Sequence, residues 1–264
     1  MAVIHSYFDA SGSPSTAAVA VAGLVARPEK WVEFDRRWSE CLAAHGVSAL
    51  HMKHFAHSRE EFASWKDDAP KRRRFLGGLL WIIEDLVEYT ATCAVYVEDY
   101  NRFDAAYRLS EFMRPYTLAS LTCGGHIVSW ATDAAYHKND IVWVFEKGDT
   151  DQRDLKAHWD RMYPDLRVQP IFCRKSDNFP DRSCFSPIRA FEAADLIAYE
   201  NLQVHKALQR ESGLIHVDQL RKPLKRMESL PGAKHWGFFG QQHLQDLCSK
   251  FAVDSRDPDT ASSE

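Results

Sequence analysis

Three acidic residues sit in apolar surroundings where a carboxylate is costly unless it is put to use. Asp9 ends the run VIHSYFD, just before Ser11 and Gly12. Glu146 closes DIVWVFEKGD, in which Ile141, Trp143 and Phe145 fall on one strand face and Val142, Val144 and Glu146 on the other. Asp195 lies in PIRAFEAADLIAYE, where Glu192, Asp195 and Tyr199 are spaced by three and four and share one helical face, while Glu200 lies on another. Carboxylates brought together from a first strand, a later strand and a late helix can hold Mg²⁺ or Mn²⁺, which take hard oxygen ligands. Two such ions about 3.5–4 Å apart stabilise the attacking and leaving oxygens of an in-line phosphoryl displacement. The chemistry implied is phosphodiester hydrolysis, with a metal-bound water as nucleophile, Asp9, Glu146 and Asp195 as ligands and Glu192 as a fourth.

Each acid also has a plainer reading. Asp9 precedes SGSPS, and Asp, Ser, Gly and Pro are ordinary turn residues. Glu146 can be a solvated residue at the first loop position. Asp195 can form a buried ion pair with Arg189 or Arg174.

Other polar groups could meet a substrate. His51 and Lys53 in LHMKHFAH are placed to contact a phosphate, and with Ser11 and Lys175 they form the candidate substrate-binding set. His51, His54 and His57 are three apart, but no second ligand cluster accompanies them, so an active-site rim or plain surface is favoured over a zinc site. The run KRRR at 71–74, with Lys66, reads either as a backbone-binding patch or as a solvated helix start partly offset by Asp67 and Asp68.

Strands and helices that could mount these groups are interleaved along the chain. VIHSYFD and TAAVAVAGLVA form a hairpin through SGSPS. Pro28 opens a helix in which Trp31, Phe34, Trp38, Cys41 and Leu42 recur at helical spacing, and Gly46 closes it. ALHMKHF reads as a short strand, KRRRFLGGLLWIIEDLVEY as a helix and TATCAVYVE as a strand. A helical region spans residues 108–136, interrupted at Pro115 and Gly124-Gly125. After DIVWVFEKGD come helix QRDLKAHWDRMY, strand RVQPIFCR, irregular SDNFPDRSCFS, and a helix capped by Ser186 and Pro187. Trp236, Phe238 and Phe239 in AKHWGFFG dock the C-terminal segment on the core or, less favoured, offer a stacking platform for bases. The pattern is a mixed α/β sheet flanked by helices, with helical insertions. Residues 1–252 read as one domain, and 253–264 as a disordered tail.

The chain has 264 residues, 45% of them hydrophobic, and a net charge of −4, so a sizeable core is expected and global cationic character is excluded. A nucleic acid, DNA or RNA, would need a local basic patch or metal ions bridging phosphate to carboxylates. Six cysteines without a C-x-x-C pair suggest reduced thiols and a cytoplasmic protein, and no apolar run is long enough to span a membrane.

The opening YFDASG resembles the Y-x-D-E-S-G start of the DUF3800 family, a large set of mostly bacterial proteins assigned to the ribonuclease H-like superfamily. AGLVARPEKWVEFDRRW is similar to that family's second strand and following helix, and FEAADLIAYE to its late Q-L-A-D-L-L-A-Y helix. The similarity runs in order over residues 4–205. It implies a ribonuclease H-like layer of three antiparallel strands followed by parallel ones, with Asp9 as the first acid, Asp195 as the late one and Glu146 as the middle-strand acid. Ala10 stands where the family has glutamate, and Glu192 where it commonly has glutamine. The expectation is a Mg²⁺- or Mn²⁺-dependent nuclease. The alternatives are a non-catalytic module binding nucleic acid or protein in the same cleft, and a metal-dependent nucleotide phosphohydrolase.

Overall fold

Alternating apolar residues in the first fifth of the chain build the hairpin on which everything else is laid. In the computed structural model, which describes residues 3–148, 151–174, 188–210 and 233–254, β1 (Ile4–Gly12) pairs antiparallel with β2 (Ala18–Ala26), His5 facing Ala26 and Asp9 facing Ala22. Gly12 ends β1 at φ +93°, and a Cβ there would run into the Ala18 carbonyl oxygen, so the turn needs glycine. The turn's hydrogen bonds run among Ser13, Ser15 and Thr16, including Thr16 N–H to the Ser13 carbonyl at 2.9 Å. Asp9 stands earlier, inside the paired strand.

Pro28 starts α1 (Pro28–Ala44), which buries Trp31, Phe34, Trp38 and Leu42 at helical intervals. The next apolar residues belong to a helix and not to a strand: ALHMKHF gives α2 (Met52–Ala56), which buries Met52 and Phe55 three apart. A 3₁₀ turn, Glu60–Trp65, leads to α3 (Ala69–Leu86), capped by Asp68 accepting from Lys71 N–H at 2.8 Å. In the KRRR run, Lys71 lies over the Trp65 ring, and Arg72 bonds Ser58 and the Phe55 carbonyl. Arg73 and Arg74 are exposed.

β3 (Tyr89–Tyr96) pairs antiparallel with β2. The helical stretch that follows is three helices: α4 (Val97–Tyr107), α5 (Leu109–Phe112) and α6 (Pro115–Asp133). Pro115 divides α5 from α6, whereas α6 continues through Gly124 and Gly125, where Tyr163 packs close against the helix. Then come β4 (Ile141–Glu146), α7 (Gln152–Met162), β5 (Ile171–Cys173), α8 (Arg189–Arg210), β6 (Ala233–Phe239) and α9 (Gln241–Asp254). The expected irregular segment 176–186, the Ser186 and Pro187 cap, Lys175 and tail residues 255–264 lie outside the described residues.

One mixed sheet runs through these elements in the order β5-β4-β1-β2-β3-β6. β4 is parallel to β1, β5 to β4, and β6 to β3. Strand alternation divides the core in two. Tyr7, Leu24 and Val144 face α1, α3 and α8, while Phe8, Val21, Trp143 and Phe145 face α4, α6, α7 and α9. Phe8 stacks on Phe145 with ring centroids 4.3 Å apart, across the Phe8–Phe145 pair of the parallel register. Trp236 packs on the first core and Phe239 on the second, so the C-terminal aromatics do dock that segment, as an edge strand. No helix among the described residues is long and apolar enough to cross a membrane.

His205 of α8 is buried against Tyr96, whose hydroxyl lies 2.9 Å from its Nδ1. Burial pushes the imidazole down from 6.5 to about 4. Such a ring is neutral in the fold and protonated in the unfolded chain below pH 6.5. Its contribution is therefore present above pH 6.5 and lost as pH falls toward 4, roughly 3 kcal/mol over the window. Replacing His205 with Gln should remove that loss. Urea unfolding of both proteins from pH 7 to pH 4 is expected to move the stability difference toward the variant by about that amount. Parallel pH profiles would show that the folded ring takes up protons freely.

Candidate active site

The register that stacks Phe8 on Phe145 also sets the site. One step further along both strands stand Asp9 and Glu146, just past the last pair of the parallel β1–β4 register; Glu146 ends β4, while β1 runs on to Gly12 against β2. Each follows the face of the residue two before it, Tyr7 and Val144, so both carboxylates project to the side covered by α8. Asp9 is 8% exposed, and its Oδ1 accepts the Ala10 N–H at 2.7 Å. Glu146 is half-buried, and its carbonyl accepts from the Gln152 side chain at 3.0 Å, tying the strand end to α7.

α8 brings the third acid. Asp195 Oδ2 accepts the Met52 N–H at 2.9 Å and is 3.1 Å from His51 Nδ1, which donates to it. The carboxylate is buried while the imidazole is 52% exposed. A neutral ring that donates through Nδ1–H presents Nε2 as an acceptor, the tautomer a general base requires. This pair joins α8 to the residue before α2. Reading ALHMKHF as a strand hides it.

Glu192, one turn earlier on α8, is not at the cleft. Its Oε2 accepts from Trp38 Nε1 at 2.9 Å and Leu50 N–H at 2.8 Å, and its Oε1 pairs with Arg189 Nη1 at 2.5 Å. The side chain is 2% exposed and lies beneath α1. Its expected place as a fourth metal ligand is thus corrected: its oxygens tie α8 to α1 and to the strand of chain before α2. Arg189, expected beside Asp195, serves Glu192 instead. Asp35 accepts the Arg189 N–H at 3.3 Å, and burial pushes its carboxyl up to about 6. Glu200 is fully buried, since α8 is covered around most of its circumference.

Asp9, Ala10, His51, Glu146, Lys147, Gly148 and Asp195 line a cleft of about 240 Å³. A second chamber of about 420 Å³ shares Ala10, His51 and Asp195 with it, and takes in Ser11, Lys53 and Tyr199. The three candidate acids therefore line one cleft, and Ser11, His51 and Lys53 border it or its neighbour. Ala10 also packs partly on the second core. Sequence reasoning does not select Lys147 or the residues of α8 beyond Tyr199.

Among the described residues no three His, Cys, Asp or Glu side chains are gathered around one point fit for a metal ion. The donor chemistry nevertheless suits Mg²⁺. That ion is held through one or two carboxylates, with waters and substrate phosphate completing its octahedron, and needs no all-protein cage. Asp9 and Glu146, neighbours across β1 and β4, provide such a pair. No protein-family model matches the chain, and no curated protein matches it. The resemblance to DUF3800 rests on the quoted motifs.

Glu192 and Asp195 should separate by experiment. Glu192→Ala leaves the Arg189 guanidinium, the Trp38 indole and the Leu50 amide without their acceptor, and should cost about 3–5 kcal/mol. Denaturant unfolding with and without Mg²⁺ measures it, and the loss should be the same in both. A loss under about 1 kcal/mol that appears only with Mg²⁺ would return Glu192 to the cleft.

Proposed function

We propose that the chain is a divalent-metal-dependent nuclease of ribonuclease H-like fold, related to the DUF3800 proteins. The observation that carries this reading is the meeting, just past the parallel β1–β4 pairing, of two carboxylates with an α8 carboxylate that holds a histidine. Ligand sites in open α/β sheets lie beyond the carboxyl ends of parallel strands, where Glu146 ends β4. The strand order supports the fold: β1 to β3 are antiparallel neighbours, and β4 and β5 extend the sheet in parallel on the β1 side. That arrangement is compatible with the layer implied by the family resemblance, to which β6 adds a sixth strand beside β3.

Asp9 and Glu146 would hold Mg²⁺ or Mn²⁺, with Asp195 on the facing wall. The bound ion supplies the positive charge that offsets the carboxylates and the phosphate together. Asp195 fixes the His51 ring so that Nε2 takes a proton from the attacking water. The water oxygen bonds to phosphorus as the opposite P–O bond breaks, the departing oxygen takes a proton from solvent to leave as a hydroxyl, and His51 returns its proton to solvent. The rim cations Lys53 and Lys147 steer the anionic backbone toward the cleft.

Purified protein incubated with labelled DNA and RNA in Mg²⁺, Mn²⁺ or EDTA tests the reading. Wild type should cleave only with metal. Asp9→Asn and Glu146→Gln should lose orders of magnitude of rate with melting temperature kept, and His51→Ala should lose about 100-fold or more. Equal metal-dependent cleavage by wild type and Asp9→Asn would overturn the role of Asp9. Strand binding without cleavage would point to a non-catalytic binding module. Turnover of free nucleotides alone would point to a phosphohydrolase.

A further inference from the structure

The two chambers that meet at His51 and Asp195 differ in charge. The smaller carries three carboxylates, Asp9, Glu146 and Asp195, against one ammonium, Lys147. The larger adds Lys53 and His57 from α2 and its end, and Gln203 and Lys206 from α8, around a wall that includes Tyr199 and Leu202. Among the described residues neither Lys53 nor Lys206 has an acidic side chain within ion-pair distance. Two unneutralised ammonium groups bordering one cavity create a local positive field on a chain whose net charge is −4. A volume of about 420 Å³ is within the range of small-ligand pockets.

We propose that the larger chamber seats the nucleotide next to the scissile phosphate, with Lys53 and Lys206 holding its backbone phosphate and Tyr199 and Leu202 offering the sugar or base an apolar wall. The inference rests on the nuclease reading of the carboxylate cleft, and it makes the substrate a strand rather than a mononucleotide. Opposite charges in adjoining chambers have a consequence. A phosphate is repelled from the acidic chamber until a divalent ion is present, whereas it enters the basic chamber without one. Metal-free binding of a strand therefore belongs to the lysines, and metal-dependent cleavage to the acids.

The experiment measures fluorescence anisotropy of short fluorescein-labelled single-stranded DNA and RNA in EDTA across a salt series. Wild type is set beside Lys53→Gln/Lys206→Gln and beside Arg73→Gln/Arg74→Gln, an exposed pair on α3 that removes the same charge elsewhere. Thermal melting verifies that all three are folded. Wild type is expected to bind at low salt. The lysine variant should bind at least tenfold more weakly, with the slope of log affinity against log salt reduced by roughly 1.4, about 0.7 for each single-strand phosphate that the lysines no longer neutralise. The arginine variant should change less than about twofold. Unaltered binding by the lysine variant, an equal loss in the arginine variant, or no binding by wild type would each overturn the proposal. Lysine-dependent binding by a wild type that cleaves nothing with Mn²⁺ would uphold the phosphate seat and remove the nuclease reading.

Discussion

Parallel pairing of β1 with β4 is the constraint on which the candidate site depends. Because side chains alternate along a strand, the register that stacks Phe8 on Phe145 in one core also sends the next residue of each strand to the opposite face. A slip of one residue would bury a carboxylate among aromatic rings and expose a phenyl group at the cleft. The core and the site are thus specified by the same pairing. Two like charges side by side where the parallel pairing of two inner strands ends repel one another, and a cation or proton relieves that cost. In the proposed reading that cation is a divalent ion, which would also bind phosphate.

α8 shows how two acids a turn apart come to different ends. Three residues of helix amount to about 4.5 Å of rise, which is enough to carry one carboxylate under α1 and leave the other at the cleft edge. Glu192 is saturated by an indole, an amide and a guanidinium, and such a buried pair is costly to break but not chemically accessible. Asp195 is buried too, but one of its partners is the half-exposed His51, so its influence reaches solvent through an imidazole. α2 is the common support of both ends of the site: the residue before it meets Asp195, and Lys53 on it faces the larger chamber.

Periodicity makes the hairpin, α1, β3 and the two faces of β4 legible in the sequence, because each repeats its apolar residues long enough to distinguish two from 3.6. ALHMKHF is not legible in that way. Leu50, Met52 and Phe55 are its buried residues, and their spacings of two and three suit either element over so short a run. Its helix shows only once Met52 and His51 are seen against Asp195. β6 and α9 are legible only as a docked aromatic segment, since AKHWGFF gives no clean alternation and borrows its partner from β3. The common helical face of Glu192 and Asp195 is legible, but their different neighbours are not. Trp38 and Leu50 come from distant segments, and Arg189, three residues before Glu192, is the one local sign of a structural pair.

The place where a divalent ion binds decides between a metal-dependent cleft and a merely acidic one. Crystals of the protein soaked in Mn²⁺ and measured for anomalous scattering locate the ion without reference to any substrate. The expected result is a peak in the cleft with one oxygen each from Asp9 and Glu146 among its ligands, lost in Asp9→Asn crystals. Saturating Mn²⁺ that leaves this cleft empty, or that binds only at acids elsewhere on the surface, would contradict it.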